Sequence, residues 1–90
     1  MEFEWDEAKC LANISKHGFD FVRAVTLFDD PHLVEPARSV SGEDRWLAIG
    51  MAQGSLVTVV FTRRATKVRI ISMRRARRGE SQRYQAVYGR

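Results

Sequence analysis

The sequence predicts an α+β fold with two N-terminal helices, a three- to four-stranded antiparallel sheet and a C-terminal helix. Three observations lead to this prediction. Helix caps and helically spaced apolar residues occupy residues 6–30, β-branched segments joined by two-residue turns fill residues 45–73, and a segment of helical character closes the chain. Helices and strands that are segregated along the chain in this way are typical of an α+β layout.

The first helix is predicted over residues 7–16. Asp6 can act as its N-cap because a carboxylate accepts the free backbone N–H groups of the first turn. Gly18 suits the position after the helix because glycine adopts positive φ without steric cost. Before the cap, residues 3–5 alternate apolar and polar side chains and predict a short edge strand. The expected buried face of the helix consists of Ala8, Leu11, Ala12 and Ile14.

A second helix is predicted to begin after Asp20, another residue suited to an N-cap. Pro31 ends it, because the residue before a proline avoids the α region. Residues 31–43 contain two prolines and small polar side chains, and they are read as an ordered loop or as an irregular hairpin arm. The expected buried stripe of this helix follows the i, i+3, i+4, i+7 pattern at Phe21, Ala24, Val25 and Phe28.

Three strands are predicted over residues 45–50, 55–62 and 67–73, which are rich in β-branched and aromatic side chains. The short connections at residues 53–54 and 65–66 indicate that neighbouring strands pair antiparallel. Residues 75–88 are predicted to form the closing helix, with Tyr84, Val87 and Tyr88 as its packing face.

Length and composition limit the class of protein. Ninety residues predict a single domain over residues 1–90. One cysteine permits no internal disulfide, which fits a reducing compartment. The first residues lack the features of a signal peptide, and no apolar run reaches the roughly 18 residues that span a membrane. We therefore expect a cytoplasmic protein without a membrane partner.

The charge distribution is strongly asymmetric. Residues 1–62 carry five Lys or Arg and ten Asp or Glu, a net charge of −5, whereas residues 63–90 carry ten and one, a net charge of +9. Such a concentration of positive charge predicts binding of nucleic acid or another polyanion. The competing interpretation is a solvated basic helix, although such helices usually interleave glutamates for support.

The sequence offers no metal-ligand motif and no phosphate-binding glycine loop. It contains neither CxxC nor HExxH, and His17 and His32 are far apart and near no cysteine. We therefore expect neither a metal nor another cofactor.

Arginines after the last strand are the main candidates for chemistry. Arg74 and Arg75 follow the strand directly, and Arg77 and Arg78 come next. Alternation along the strand predicts that Arg69, Ile71 and Met73 share one face. Arg69 has two interpretations: an ion pair with Glu43 or Asp44, or a guanidinium that points into a cleft towards phosphate.

Metal-free cleavage of RNA needs a base for the 2′-OH, stabilisation of the anionic phosphorane and a proton for the leaving 5′-oxygen. Arginines supply the second requirement because they remain protonated and grip phosphate oxygens with two N–H groups. His17 or Tyr84 could transfer protons, although a histidine in the last turn of a helix more often stabilises the helix end. Trp5 and Trp46 could stack on bases, but we expect them in the core.

Several strings in the chain together resemble the BrnT family of toxins. They are FEWDEAK at residues 3–9, KHG at 16–18 and VRIISMRRA at 68–76, with further matches at Asn13, Phe28 and Arg64. The resemblance implies a RelE-like fold and a metal-independent endoribonuclease that inhibits translation and growth. It also implies neutralisation by a BrnA-type antitoxin with a ribbon-helix-helix DNA-binding part, in a complex that represses its own operon through operator DNA. We expect this complex to contain two copies of each chain.

The resemblance and the charge pattern together give two sets of candidate residues. The expected catalytic residues are Arg64, Arg69, Arg74, Arg75, Tyr84 and His17, of which Arg64, Arg74 and Arg75 should converge in one cleft. The expected RNA-binding residues are Arg63, Lys67, Arg77 and Arg78. The alternative function is a non-catalytic module that binds nucleic acid or the ribosome through the same basic third of the chain.

Two departures from the family pattern affect the last helix. Arg77 stands where a threonine is usual, so it cannot form a capping box with Glu80, and Gly79 replaces a basic residue. Each change is expected to weaken the start of the helix by about 1 kcal/mol. We therefore expect this region to become ordered when a partner binds.

Overall fold

A computed structural model describes residues 1–89, and it confirms the predicted α+β class. The elements in chain order are β1 (Glu2–Glu4), α1 (Glu7–His17), a 3₁₀ turn (Phe21–Arg23), α2 (Ala24–Leu27), β2 (His32–Pro36), β3 (Trp46–Ala52), β4 (Ser55–Arg64), β5 (Lys67–Arg75) and α3 (Arg78–Tyr88). The three predicted central strands and the closing helix are present, with bounds that differ by a few residues.

The sheet has five strands in the order β1-β5-β4-β3-β2. The prediction of three to four antiparallel strands is wrong in number and in direction, because β1 pairs parallel with β5. Glu2 lies beside Lys67 and Glu4 beside Arg69 in this pairing. A three-residue strand that joins a partner more than sixty residues away leaves no local signal of direction in the sequence.

Residues 31–43 contain a hairpin arm, which confirms the second of the two interpretations. β2 pairs antiparallel with β3, from His32 opposite Gly50 to Pro36 opposite Trp46. Pro36 has no N–H to donate to the ladder. It is tolerated at the end of this strand because β2 lies at the edge of the sheet.

The caps of α1 form as predicted, but a different face of the helix is buried. The Asp6 carboxylate accepts from the backbone N–H of Lys9 at 3.1 Å, and Gly18 has φ of 81°. The buried residues of the helix are Cys10 and Asn13, whereas Leu11 is 66% exposed. The predicted buried face is wrong because α1 lies along β5 and is fixed there partly by a polar side chain.

The second predicted helix is a 3₁₀ turn followed by a single α-helical turn. Asp20 caps it as expected, accepting from the backbone N–H of Val22 at 3.1 Å. Phe21, Ala24 and Leu27 are fully buried, and their spacing of three residues matches the tighter 3₁₀ period. The predicted stripe therefore missed Leu27.

A β-bulge changes the alternation of side chains along β5. Ile70 pairs with Phe61 and Ser72 pairs with Val60, so Ile71 is an extra residue without a partner in β4. Met73 consequently lies on the same face as Val68 and Ile70, and all three are buried. The predicted common face of Arg69, Ile71 and Met73 is therefore wrong.

Different elements pack on the two faces of the sheet. On one, which we call the core face, α1, the 3₁₀ turn and α2 pack on a cluster that includes Val59, Phe61 and Ile70. On the other, which we call the α3 face, α3 packs over Thr58 and Ile49, both fully buried. Beyond α3, this face retains partly exposed side chains at Leu47, Val60 and Ser72. The α3 face is thus only partly covered.

Candidate nucleic-acid interface

Four cationic residues lie on the α3 face of strands β4 and β5. The register pairs Thr62 with Arg69, Arg64 with Lys67, and Thr58 with Arg74, and paired residues of neighbouring strands share a face. Thr58 contacts α3, so its partner Arg74 lies on the α3 face. Thr62 and Arg64 follow at even spacing along β4, and they and their partners therefore lie on the same face. We call Arg64, Lys67, Arg69 and Arg74 the basic surface.

Arg74 is held by the carboxylate of Glu80. Its two terminal nitrogens donate to the two Glu80 oxygens at 2.8 and 3.0 Å, and the Thr58 hydroxyl donates to the same carboxylate at 2.8 Å. The Arg74 guanidinium and the other donors lower the pKa of Glu80 to about 2, although burial alone would raise it. The network fixes one face of the Arg74 guanidinium and joins α3 to the sheet.

Glu80 also supports the start of α3, which differs from the expected weak helix start. The Arg77 backbone N–H donates to the Glu80 carboxylate at 2.8 Å. This bond is one half of a capping box, and the other half is not made because an arginine side chain has no acceptor. Gly79 remains exposed. The sheet thus holds Glu80 where it supports the first turn of α3, which begins at Arg78.

Arg69 forms an ion pair, but with a different acid from those predicted. Its guanidinium donates to Glu4 of the neighbouring strand at 3.2 Å, and the Lys67 ammonium lies 4.0 Å from the same carboxylate. Glu43 pairs instead with Arg45. The Arg69 side chain remains 28% exposed, so its other N–H groups can still reach a ligand.

The predicted convergence of Arg64, Arg74 and Arg75 is wrong. Arg75 pairs with Val57 on the core face, where its guanidinium lies 5.9 Å from the centre of the Phe19 ring. Arg64 lies six residues along β4 from Thr58, the partner of Arg74, which corresponds to about 20 Å. Arg75 and Arg74 lie on opposite faces because side chains alternate along a strand. Arg64 and Arg74 share a face but lie far apart along it.

Arg63 also lies on the core face, because it pairs with Val68. Its guanidinium is 5.9 Å from the ring centres of both Trp46 and Phe61. Trp5 and Trp46 pack against the core cluster, as expected.

The remaining predicted residues lie on helices. Arg77 and Arg78 are exposed at the start of α3, close in sequence to Arg74. Tyr84 is half-buried on α3, with its ring 5.1 Å from that of Tyr88, which donates to the carbonyl of His32 on the edge strand β2. His17 lies in the last turn of α1, against β5. The two proposed proton-transfer residues therefore lie on different elements, towards opposite edges of the sheet.

A depression between α1 and β5 contains residues that the sequence reasoning missed. It has a volume of about 210 Å³, and its lining consists of Lys9, Ala12, Asn13, Lys16, His17, Ile71 and Ser72. The five residues from α1 follow i, i+3, i+4, i+7, i+8 spacing, which places them on one side of the helix. Their signal in the sequence is a polar and cationic stripe on α1, which apolar periodicity does not detect.

The described part of the chain offers neither a metal site nor a membrane-spanning helix. Within residues 1–89, no three His, Cys, Asp or Glu side chains are grouped so that they could hold a metal ion. None of the helices in the described part of the chain is long and apolar enough to cross a membrane.

The fold and the basic surface define a small α+β protein whose cations are concentrated on a partly covered sheet face. The model of the BrnT family, described as the ribonuclease toxin of a type II toxin–antitoxin system, matches residues 5–80 of this chain. The chain belongs to this family of ribonuclease toxins. A search of curated proteins found no match.

Proposed function

We propose that this protein is a metal-independent endoribonuclease that binds and cleaves RNA on the basic surface. In the proposed reaction, the 2′-oxygen of the substrate bonds to the adjacent phosphorus while the bond from phosphorus to the 5′-oxygen breaks. The products are a 2′,3′-cyclic phosphate and a free 5′-hydroxyl. The observation that carries the proposal is the placement of four cations on one sheet face of a chain that belongs to a ribonuclease family.

Arg69 and Arg74 each suit stabilisation of a phosphorane, because Glu4 and Glu80 already fix their orientation. Their partners Thr62 and Thr58 are four residues apart on β4, about 13 Å, so one arginine would contact the cleaved phosphate and the other a neighbouring phosphate. Fixed guanidinium groups need little reorganisation as negative charge develops on the phosphate. Arg64 contacts no carboxylate within residues 1–89, so its guanidinium is available for phosphate. His17 and Tyr84 are proposed as alternative proton-transfer residues, because they lie towards opposite edges of the sheet and cannot act on the same phosphodiester.

Arg63 and Arg75, the two arginines on the core face, are not proposed to contact the cleaved phosphate. Arg75 was expected to be catalytic, but it stacks on Phe19 away from the basic surface. We therefore propose that Arg75, like Arg63, contacts RNA outside the basic surface and not at the cleaved phosphate. Arg77 and Arg78, together with Lys67 on the sheet, are proposed to bind phosphates that flank the cleaved one.

The type II family implies an antitoxin partner. We propose that this partner is a BrnA-type protein with a ribbon-helix-helix part, that the complex holds two copies of each chain, and that it represses its operon by binding operator DNA. The resemblance of the sequence to the family supports these features. We also propose that cleavage takes place in the cytoplasm, where messenger RNA is translated.

The test is cleavage of a defined RNA in EDTA by purified protein. The proposal expects cleavage under chelation, products that end in 2′,3′-cyclic phosphate, and strong loss of activity in Arg69→Gln and Arg64→Gln. Arg23→Gln serves as a matched control, because Arg23 is an exposed arginine of the 3₁₀ turn on the opposite side of the sheet. Activity that disappears in EDTA and returns with Mg²⁺ would overturn metal independence.

The alternative is a module that binds nucleic acid or the ribosome without cleaving it. One observation favours it: three of the four cations of the basic surface are already paired with acids of the same chain. RNA binding with unchanged RNA after long incubation, in a preparation whose fold is verified by circular dichroism, would select this alternative.

A further inference from the structure

The depression between α1 and β5 has the composition of an anion site. Three of its seven lining residues, Lys9, Lys16 and His17, can carry positive charge, Ser72 adds a hydroxyl, and none of the seven is acidic. Neither lysine contacts a carboxylate among the residues that the structure describes. The Coulomb attraction of both ammonium groups is therefore available to a ligand.

Asn13 holds the walls of the depression in a fixed relation. Its side-chain oxygen accepts from the Met73 N–H at 3.1 Å, and its side-chain nitrogen donates to the carbonyls of Met73 and Phe19, each at 2.9 Å. The amide thus pairs with the backbone of β5 as a neighbouring strand would. The α1 side of the depression is consequently fixed to the strand that carries Arg69 and Arg74.

The depression opens beside the basic surface. Ser72 pairs with Val60 on the α3 face, and on β5 it lies between Arg69 and Arg74. It is also part of the depression's lining. β1 pairs only with Lys67–Arg69, so β5 forms the edge of the sheet beyond Arg69. The depression lies on the α1 side of this edge and the basic surface lies on the other side, so a chain that passes round the edge at Ser72 contacts both. Lys9 and Lys16 lie about 10 Å apart along the helix axis, one on each side of Ala12 and Asn13.

We propose that this depression is a subsite for one unpaired nucleotide of the RNA, next to the cleaved phosphodiester, with Lys9 and Lys16 on its flanking phosphates. The proposal rests on the proposed function and adds a substrate class to it, namely single-stranded RNA. A volume of about 210 Å³ can accommodate a single base and not a base pair. A base-paired nucleotide would have to leave its stack to enter, at a cost of a few kcal/mol.

The experiment measures binding of a 2′-O-methyl RNA, which lacks the nucleophile, by fluorescence anisotropy over a range of salt concentrations. The variant is Lys9→Gln combined with Lys16→Gln, both at exposed positions of α1. We expect a Kd for the single strand raised at least several-fold and a salt slope reduced by about 1.4, because each phosphate contact on a single strand contributes about 0.7. In cleavage assays KM should rise while kcat stays near its original value.

A second variant tests the space of the depression without changing charge. Ala12→Leu keeps good helix propensity and adds a side chain to the lining. It should weaken single-strand binding while leaving the salt slope unchanged, and binding of a fully paired RNA duplex should remain as in the original protein. Arg23→Gln is the matched control for removal of an exposed cation, and circular dichroism melts verify the fold of each variant.

Two outcomes would overturn the subsite. In one, the double lysine variant binds single-stranded RNA with unchanged Kd and salt slope while Arg64→Gln weakens binding, in which case the proposed function stands and the subsite falls. In the other, single strand and duplex lose affinity equally, which would mean that the lysines contribute only general attraction. Failure of the proposed function is distinguishable, because Arg64→Gln would then leave RNA binding unchanged and no cleavage would occur.

Discussion

At the scale of single residues, Glu80 has the largest predicted effect on stability. It is 6% exposed and accepts hydrogen bonds from Arg74, Thr58 and the Arg77 backbone. Glu80→Gln leaves the Arg74 guanidinium without its counter-charge, and breaking a buried pair in this way costs about 3–5 kcal/mol. Urea unfolding at pH 7 measures this loss. Glu2→Gln, an exposed residue of β1, should change the free energy of unfolding little.

The same residue predicts the acid sensitivity of the fold. Its pKa of about 2 in the folded protein lies below the ordinary value of 4.5. The carboxylate therefore stabilises the fold above about pH 4.5, and this contribution disappears as the pH falls towards 2. It amounts to about 3 kcal/mol. Urea unfolding between pH 6 and 2.5 should show a decline that is much smaller in Glu80→Gln. Equal pH slopes in the two proteins would contradict the prediction.

At the scale of elements, α1 is predicted to depend on a single amide. Asn13 is the only side chain of this helix shown to bond the Met73 backbone among the described residues. Asn13→Ala leaves the N–H and the carbonyl of Met73 without these partners, and unsatisfied buried groups cost about 1–3 kcal/mol each. We expect a clearly lower melting temperature and faster hydrogen exchange at Met73. Ser15→Ala, an exposed position on the same helix, should leave both unchanged.

The elements also show which parts of the fold local sequence can predict. Caps and turns were predictable, because Asp6, Asp20 and the turn at Gln53 and Gly54 act through neighbouring residues. The parallel β1, the bulge at Ile71 and the ion pair of Arg69 with Glu4 were not, because each depends on residues far apart in sequence. The same distinction between local and long-range information applies to the candidate site.

For the site, the cationic residue types were predictable from composition, whereas their faces were not. A bulge of one residue and a register set by tertiary contacts decide which arginines share a surface. The depression was hidden for another reason: the polar stripe on α1 becomes meaningful only when β5 is known to lie beside it.

At the scale of the whole molecule, the acidic part of the chain neutralises only some of the basic part. Glu4 pairs with Arg69, and Glu35 pairs with Arg83 through two bonds of 2.7 and 3.0 Å, which raises the pKa of Arg83. Glu80 pairs with Arg74. Among the described residues, the cations of the last third that contact no carboxylate are Arg63, Arg64, Arg75, Arg77 and Arg78.

This residual charge predicts how an antitoxin inhibits the protein. An acidic partner that covers the basic surface would be attracted over a distance set by the Debye length, which is about 8 Å at physiological salt. It would also relieve repulsion between the arginines and occupy the place of RNA phosphates. We therefore expect an association rate that falls steeply with added salt and a higher melting temperature in the complex. Stopped-flow mixing with the cognate antitoxin measures the rate.

Variants separate this mechanism from contact elsewhere on the molecule. Arg64→Gln combined with Arg77→Gln removes two cations near the proposed interface and should slow association at low salt but much less at high salt, where steering is already screened. Arg23→Gln, which removes one cation from the other side of the sheet, should have a smaller effect. The intact complex should not cleave RNA. If the complex cleaves RNA as fast as the free protein, or if association is independent of salt, then the antitoxin binds away from the basic surface and inhibits by another route.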